Sequence, residues 1–209
     1  MKIWANALVK NEEKYIWYAI MSILAHVDKV LVWDTGSEDL TVKIVDEIKK
    51  RYPEKIDFRE VGDVDEKAFT EVRQEMLNET QSDWLLILDG DEVWWENSIN
   101  RLAQNIKKEG SRLESIVVPF YSLVGDVYHY QDESAGRYSI DGKIGHLSIR
   151  AINRKIPGLH VQNSYGKEGF FDGEGVEIQK RDSKKRTFLN VPFLHLTHLR
   201  RSSKDEKVM

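Results

Sequence analysis

Several common features of proteins are missing from this chain, and each absence removes a class of function. The 209 residues include no cysteine, which excludes disulfide bonds, thiolate metal sites and a cysteine nucleophile. No stretch approaches the roughly 20 apolar residues that a membrane span requires. Residues 1–6 have the pattern of a strand rather than of a signal peptide. We therefore expect a cytoplasmic protein without a membrane span, with peripheral contact to a membrane left open.

A large excess of charge of either sign is also missing. Lysine and arginine total 31, aspartate and glutamate total 35, and the formal net charge is −4. A general nucleic-acid binder would show a basic stripe or patch, so we expect no nucleic-acid partner. An anionic ligand would have to be bound by local positive charges or by a metal ion, because the field of the whole protein does not attract it.

What the sequence does contain is an alternation of strand and helix patterns over its first 121 residues. Apolar runs predict strands at residues 3–9, 30–33, 56–61, 84–88 and 115–121. Helical periodicity predicts helices at residues 15–24, 40–52, 69–80 and 97–108. Such alternation is typical of an α/β fold with a mostly parallel central sheet flanked by helices.

The pattern changes after about residue 122. Alternation at residues 146–152 predicts a further strand, and the four glycines of residues 166–175 predict a mobile loop. Residues 188–199 are apolar, and residues 200–209 are polar and predict a frayed end. No linker or repeat is evident, so we expect a single domain over residues 1–209, with a regular half (1–121) and a more irregular half (122–209).

The most informative feature is the end of the predicted strand at residues 84–88. It stops at three carboxylates, Asp89, Asp91 and Glu92, which are separated only by Gly90. Open α/β sheets bind ligands just beyond the carboxyl ends of their strands. Three like charges at that point would repel one another, and oxygen ligands suit a hard divalent ion such as Mg²⁺ or Mn²⁺. The sequence therefore predicts a metal ion that carries a nucleotide diphosphate.

Two other predicted strands also end in polar side chains. Asn11 and Glu12 follow the first strand, and Asp34 ends the second. Each signal alone is weak: Asp-x-Asp occurs by chance in many proteins, and an aspartate such as Asp34 often binds the backbone amides of its own turn. Their joint occurrence, in order and at strand ends, favours a ligand site at one rim of the sheet.

These segments together resemble a known family. The resemblance is to family-2 glycosyltransferases of GT-A (Rossmann-like) fold, and most closely to the branch that contains lipopolysaccharide-core glucosyltransferases. It covers about residues 2–120, and four motifs carry it in the family's order: residues 10–13, 32–41, 69–73 and 84–92. Residues 146–160 resemble the branch only loosely. Where the branch has a glutamate after its histidine, this chain has Val161 and Gln162.

The resemblance implies a role for each nucleotide-binding candidate in the first half. Asp34 would accept the N3–H of a uracil ring, and Asn11 and Glu12 would line the nucleoside pocket. Asp89 would face the ribose and the sugar, and Arg73 would contact the nucleotide. The expected donor is a nucleotide sugar, with UDP as the favoured nucleotide.

The resemblance also implies that Asp91 ligates the metal and that a histidine near the chain end completes the site. His195 and His198 are both candidates, and residues three apart on a strand face opposite ways. We expect only one of them to ligate, and we favour His198. His160 is a weaker candidate. A histidine ligand would shift the preference from Mg²⁺ toward Mn²⁺.

The reaction that the resemblance implies is transfer of a hexose to an acceptor hydroxyl with inversion of configuration. The irregular half would supply the acceptor site, close the metal site and provide a carboxylate base. We favour Asp172, with Glu174 next, because Asp172 follows two aromatic residues; three further carboxylates stay open, namely Glu168, Asp132 and Glu133. The acceptor would be a glycan or a lipid-linked saccharide.

Other functions fit parts of the same pattern. A catalytically silent sugar-nucleotide-binding domain remains open. A nucleotidyltransferase would need a glycine-rich basic loop after the first strand, where this chain has residues 10–13 without glycine. A receiver domain would need a lysine at the end of its fifth strand, and residues 115–121 end without one. The basic residues Lys184, Lys185, Arg186, Arg200 and Arg201 either close over the diphosphate or form a solvated surface.

Overall fold

The computed structural model describes residues 1–66 and 68–204. Its α-helices are α1 (Ile16–Ile23), α2 (Thr41–Arg51), α3 (Ala68–Glu79) and α4 (Glu96–Glu109). Its strands are β1 (Ile3–Val9), β2 (Lys29–Asp34), β3 (Ile56–Glu60), β4 (Trp84–Ile87), β5 (Glu92–Trp94), β6 (Ser115–Val124), β7 (Tyr138–Ile140), β8 (Lys143–Gly145), β9 (Leu147–Asn153), β10 (His160–Gln162), β11 (Gly169–Phe171), β12 (Arg186–Phe188) and β13 (Phe193–His198). No helix in these two described stretches has the length and apolar character needed to cross a bilayer.

Nine strands form one central sheet in the order β3-β2-β1-β4-β9-β6-β13-β5, with β12 also paired to β6. Strands β3, β2, β1 and β4 are adjacent in the sheet and all parallel to one another, and β13 runs parallel to β6. The predicted α/β fold with a mostly parallel sheet is confirmed. Strand β9 is antiparallel to both β4 and β6 and lies between them, so strands of the irregular half complete the sheet of the regular half.

Helices cover both faces of the sheet. On the first face, called the α1 face, α1, α2 and α4 bury residues such as Ile20, Val45 and Leu102 against β1 and its neighbours. Helix α4 buries residues at the i, i+3, i+4 and i+7 spacing of one helical stripe, namely Ile99, Leu102, Ala103 and Ile106. The apolar residues of the predicted helices therefore face the sheet.

The opposite face, called the α3 face, is covered by α3 and by a two-stranded ribbon of β10 and β11. Met76 of α3 packs with Leu31 and Trp33, and Leu77 packs with Leu85 and Val161. The ribbon is antiparallel and pairs His160 with Phe171. The prediction of one mobile loop over residues 166–175 is therefore wrong for Gly169–Phe171, which form β11.

Residues 200–204 are held against the body of the protein by hydrogen bonds. Ser202 is completely buried, and its hydroxyl bonds to the carboxylate of Asp39. The prediction of a frayed end is wrong for residues 200–204, because their hydrogen bonds fix them against the loops that follow β1 and β2. The rest of that prediction, residues 205–209, lies outside the described residues.

Candidate functional site

A cleft of about 450 Å³ opens at the carboxyl ends of β1, β2 and β4. Five of the residues predicted from the sequence line it: Asn11, Glu12, Arg73, Asp89 and Asp91. They come together because β1 and β4 are parallel neighbours and end at the same rim. The place of the cleft agrees with the general rule for ligand sites in open α/β sheets.

The turn after β4 depends on the small size of Gly90. A Cβ atom built at this position would come within 2.5 Å of Cγ of Glu12. Glu12 is itself 5 % exposed and forms an ion pair with Arg201 at 2.9 Å. The glycine therefore lets two acidic loops approach closely, which brings Glu12 beside Asp91.

The side chain of Arg150 neutralises part of this acidic rim. It extends from β9, the strand next to β4, and contacts Asp89 at 3.1 Å and Glu92 in a shorter ion pair. Burial opposes ionisation of Asp89, but the charges of Arg150 and Arg73 outweigh it and lower the pKa of Asp89 below its ordinary value. Arg150 received no site role from the sequence. A single arginine in a strand of alternating polarity is a weak signal for a binding site. The ion pairs of Arg150 depend on which strand β9 pairs with.

Nearby positive charges compensate the carboxylate of Asp91 less fully than that of Asp89. It is 3 % exposed, its nearest arginine nitrogen (Arg201 Nη1) lies 3.8 Å away, and Nε2 of His195 lies 3.7 Å away. Burial and the negative charge of Asp89 raise the pKa of Asp91 to about 6. Burial and the charge of Arg150 lower the pKa of His195 to about 4. At neutral pH, Asp91 is therefore mostly ionised and His195 is uncharged, so both offer electron pairs to a cation.

The structure brings His195, not the favoured His198, to the cleft. His195 lines it, whereas His198 is exposed and is absent from the lining. The pairing of β13 with β6 shifts register between these two histidines, so simple alternation does not fix which side each faces. His160 lies on β10, where its ring bonds to the carbonyl of Gly158 at 2.9 Å.

One carboxylate oxygen of Asp34 accepts hydrogen bonds within its own turn, and the other is buried inside the protein. Its Oδ1 accepts the backbone N–H groups of Gly36 at 3.0 Å and Ser37 at 2.9 Å. Its Oδ2 is buried and has no hydrogen-bond partner within the described part of the chain. Asn11 adopts φ +56° and accepts the backbone N–H of Glu38 through its side chain at 2.9 Å, which ties the β1 and β2 loops together.

The favoured bases, Asp172 and Glu174, lie away from the cleft. Asp172 accepts the backbone N–H groups of Glu174 and Val176 and pairs with Arg181, which also holds Glu114. Glu114 immediately precedes β6, at the rim of the sheet opposite the acidic one. Our preference for these two residues is therefore corrected: hydrogen bonds hold Asp172 in a structural turn, and Glu174 is exposed beside it.

The three remaining carboxylate candidates are also separated by the structure. Asp132 accepts the N–H of Ser134 in a short 3₁₀ turn, and Glu133 lies in that turn. Glu133 lines a different cavity, of about 310 Å³, between β6 and the β7–β8 hairpin. Of these three candidates, Glu168, from the loop before β11, is the one that lines the cleft with Asp89 and Asp91.

The segment after β13 closes one side of the cleft. Its Arg201 carbonyl accepts the N–H of Lys14 at 3.1 Å, and its Ser203 N–H donates to Glu13 at 2.6 Å. These bonds hold the Arg201 guanidinium beside Glu12 and Asp91. Lys184 and Lys185 instead form a 3₁₀ turn near Glu114. Among the basic residues at positions 184–186 and 200–201, Arg201 is the one that lines the cleft.

The side chains present fit a metal ion that binds together with a phosphate ligand. Within the described residues, no three histidine, aspartate or glutamate side chains are grouped to hold an ion by themselves. Asp91 and His195 form a pair of donors beside an open cleft. Mg²⁺ is commonly held by one or two protein carboxylates together with substrate phosphates and water, and such a site needs no third side chain.

Comparison with known families agrees with this geometry. The sequence pattern described as Glycosyl transferase family 2 matches residues 8–173. The chain belongs to this family. No curated protein matches the sequence.

Solved structures resemble the chain in fold. S. aureus TarS 1-349 has a TM-score of 0.56 at 14% identity, over 94% of this chain and 61% of that one. The mannosyltransferase PcManGT from Pyrobaculum calidifontis, in complex with GDP-Man and Mn²⁺, has a TM-score of 0.57 at 14% identity, over 95% and 58%. Glucosyl-3-phosphoglycerate synthase from Mycobacterium tuberculosis, in complex with Mn²⁺ and UDP-glucose, has a TM-score of 0.54 at 17% identity, over 99% and 72%.

These similarities confirm the GT-A-type fold that the sequence predicted. The chain spans 61% of the TarS fragment and 58% of the mannosyltransferase, and at these identities the likeness concerns the fold alone. Assignment to the lipopolysaccharide-core branch stays a prediction.

Proposed function

We propose that the protein is a metal-dependent, inverting glycosyltransferase that moves a hexose from a UDP-sugar to an acceptor hydroxyl. The observation that carries the proposal is the cleft at the carboxyl ends of β1, β2 and β4. It combines a buried, incompletely compensated carboxylate, Asp91, with the positive side chains of Arg73 and Arg201. A site of mixed charge suits an anionic ligand that brings a cation with it.

The nucleoside would bind between the loops after β1 and β2. Asn11 lines the cleft at this side. Asp34 is buried and is not among the lining residues, and its enclosed Oδ2 has no hydrogen-bond partner in the described part of the chain. A uracil N3–H would supply the missing donor, because a buried acceptor without a partner costs about 1–3 kcal/mol. This acceptor suits a base with an N–H donor, and the family resemblance favours the N3–H of uracil and hence UDP.

The diphosphate would lie over Asp89 and Asp91. Arg73 and Arg201 would neutralise its charge, and the buried Nε of Arg73 has no acceptor within the described residues. Asp91 and His195 would hold the metal. When bound, the metal would stabilise the charge on the departing diphosphate as a Lewis acid. Membership of glycosyl transferase family 2, and the nucleotide-sugar complexes of two structures of similar fold, support this donor class.

The test combines binding and turnover. Melting temperature would be measured with UDP, GDP, CDP and TDP, each with and without Mn²⁺, because a ligand that binds only the folded state raises it. We expect the largest increase with UDP and Mn²⁺ together. Release of UDP from UDP-sugars, first with water and then with glycan or lipid-linked saccharide acceptors, would establish transfer.

Each negative result has a definite meaning. Absence of any increase with all four nucleotides would overturn the proposal. Saturable UDP binding without UDP release under any acceptor condition would identify a catalytically silent sugar-nucleotide-binding domain instead. Analysis of the anomeric configuration of the product would test inversion.

A further inference from the structure

The loop between β10 and β11 forms one wall of the donor cleft. Helix α3 fixes this wall through the hydroxyl of Thr70, which donates to the carbonyl of Asn163. The rings of Phe69 and Tyr165 meet edge to face, with centroids 4.8 Å apart. The loop is therefore seated on a rigid helix, and its last residue, Glu168, lines the cleft with Asp89 and Asp91.

One carboxylate oxygen of Glu168 is enclosed without a donor. Its Oε2 has almost no solvent contact and has no hydrogen-bond partner in the described part of the protein. Glu12 also has a buried oxygen with no donor among the described residues, but it forms an ion pair with Arg201 through its other oxygen, and Asp89 forms one with Arg150. A buried acceptor of this kind costs free energy until a donor reaches it, and an entering hydroxyl is such a donor.

Glu168 reaches the cleft from the α3 face of the sheet. Arg201 is tied to Lys14, which leads into α1, so it belongs to the α1 face. The loop of Glu168 packs on α3, on the opposite face of the sheet. Arg73 of α3 lies on the same face as Glu168, so the cleft carries positive charge on both faces, and Glu168 lines it together with Asp89 and Asp91.

We propose that Glu168 is the general base that accepts the proton of the attacking hydroxyl, an inference that rests on the function proposed above. As the acceptor oxygen forms its bond to the anomeric carbon, its proton passes to Glu168. The bond from that carbon to the diphosphate oxygen breaks, and the nucleoside diphosphate leaves with the electron pair.

The test uses UDP-glucose with Mn²⁺ and water as the acceptor, so that it does not require the natural acceptor. Glu168→Gln keeps the size and a carbonyl acceptor but cannot take a proton at neutral pH. We expect kcat for UDP release to fall by at least about a hundredfold, with the Kd for UDP and the melting temperature nearly unchanged. Glu174→Gln, an exposed carboxylate in the neighbouring turn, is the matched control and should retain the wild-type rate.

A second variant separates catalysis from folding and binding. Glu168→Asp keeps a carboxylate on a shorter side chain and should recover part of kcat, even if Glu168→Gln folds poorly. A Glu168→Gln variant with normal kcat, or with only a raised KM, would overturn the assignment to Glu168.

The failure of this inference can be told apart from failure of the proposed function. If the wild type and Glu168→Gln release UDP equally fast, the transferase proposal stands and Glu168 is not the base. Wild-type protein that binds no UDP overturns the transferase proposal, and the base falls with it. The wild type could also bind UDP but release none from UDP-glucose, with water or with saccharide acceptors. That result would overturn the assignment of Glu168 as the base, because a binding domain needs no catalytic base.

Discussion

Nε2 of His195 lies 3.7 Å from Oδ1 of Asp91, at the point where β13 pairs with β5. If this pair holds the metal, His195→Ala should weaken the Mn²⁺-dependent part of UDP binding by at least about tenfold. His198→Ala is the matched control, because this histidine is exposed and does not line the cleft. Melting temperatures with UDP, with and without Mn²⁺, would measure the effect. Equal losses in both variants would contradict the choice of His195.

Asp91 is the second residue whose removal should disable the site. Asp91→Asn keeps the shape of the side chain but removes the charge that would attract the metal. Turnover of UDP-sugar should fall by about a hundredfold, which corresponds to about 3 kcal/mol in the barrier. Asp46→Asn on α2 provides a control at a distance from the cleft. Near-normal turnover with the usual Mn²⁺ dependence would show that Asp91 does not hold the ion.

The acidic rim was predictable because it depends on local sequence. Asp89 and Asp91 directly follow an apolar strand, and Asn11 and Glu12 directly follow another, so covalent order alone takes them to one edge of a parallel sheet. The helices and strands of the first half were predictable for the same reason, since periodicity and length determine each element separately.

The rest of the site depends on contacts between distant segments. The position of Arg150 follows from the insertion of β9 between β4 and β6, which no local pattern specifies. The choice between His195 and His198 depends on a register shift in β13. The aromatic residues before Asp172 suggested a sugar platform, but Phe170 packs with Leu77 and Leu85 in the core, and Asp172 is held by Arg181 instead.

Gly90 should tolerate no larger residue. Gly90→Ala places a methyl group within 2.5 Å of Cγ of Glu12, and overpacking of this kind costs about 1–3 kcal/mol. We expect a lower free energy of unfolding and weaker UDP binding, because Glu12 must move. Gly169→Ala is the matched control: its added carbon would meet neighbours no closer than 3.5 Å. Urea denaturation of both variants measures the difference, and equal stability of the two would refute the steric argument.

Arg150 should be needed for stability as well as for the shape of the cleft. Arg150→Met leaves the buried carboxylate of Glu92 without its partner, which should lower the free energy of unfolding by about 3–5 kcal/mol. Adding Glu92→Gln should recover a large part of that loss, because the unpaired charge is gone. A double-mutant cycle by urea denaturation tests this coupling. Additive effects of the two substitutions would show that the ion pair is not the cause.

The cluster around Arg181 predicts how stability depends on pH. A hydrogen bond from Arg181 lowers the pKa of Glu114, with a further contribution from Lys185. A lowered pKa means that this stabilisation is complete above the ordinary glutamate value, near 4.3, and is lost as the pH falls below it. Glu114→Gln should therefore reduce stability by about 1 kcal/mol or less at pH 7, and by progressively less as the pH falls toward 3.

Thermal unfolding between pH 7 and pH 3 measures this dependence. Glu47→Gln removes an exposed partner of Lys50 and is the control, which should show almost no change at any pH. A loss in Glu114→Gln that persists unchanged at pH 3 would mean that packing rather than charge is responsible.

The insertion of β9 between β4 and β6 limits how this protein can diversify. A fragment that stops at residue 121 would leave two strand edges exposed where β9 now bridges them, and a bare edge invites pairing with other chains. We therefore expect that the second half cannot be exchanged as an independent module. New specificity would have to arise in the connections between β6, β9 and β13, while the strands themselves keep their places.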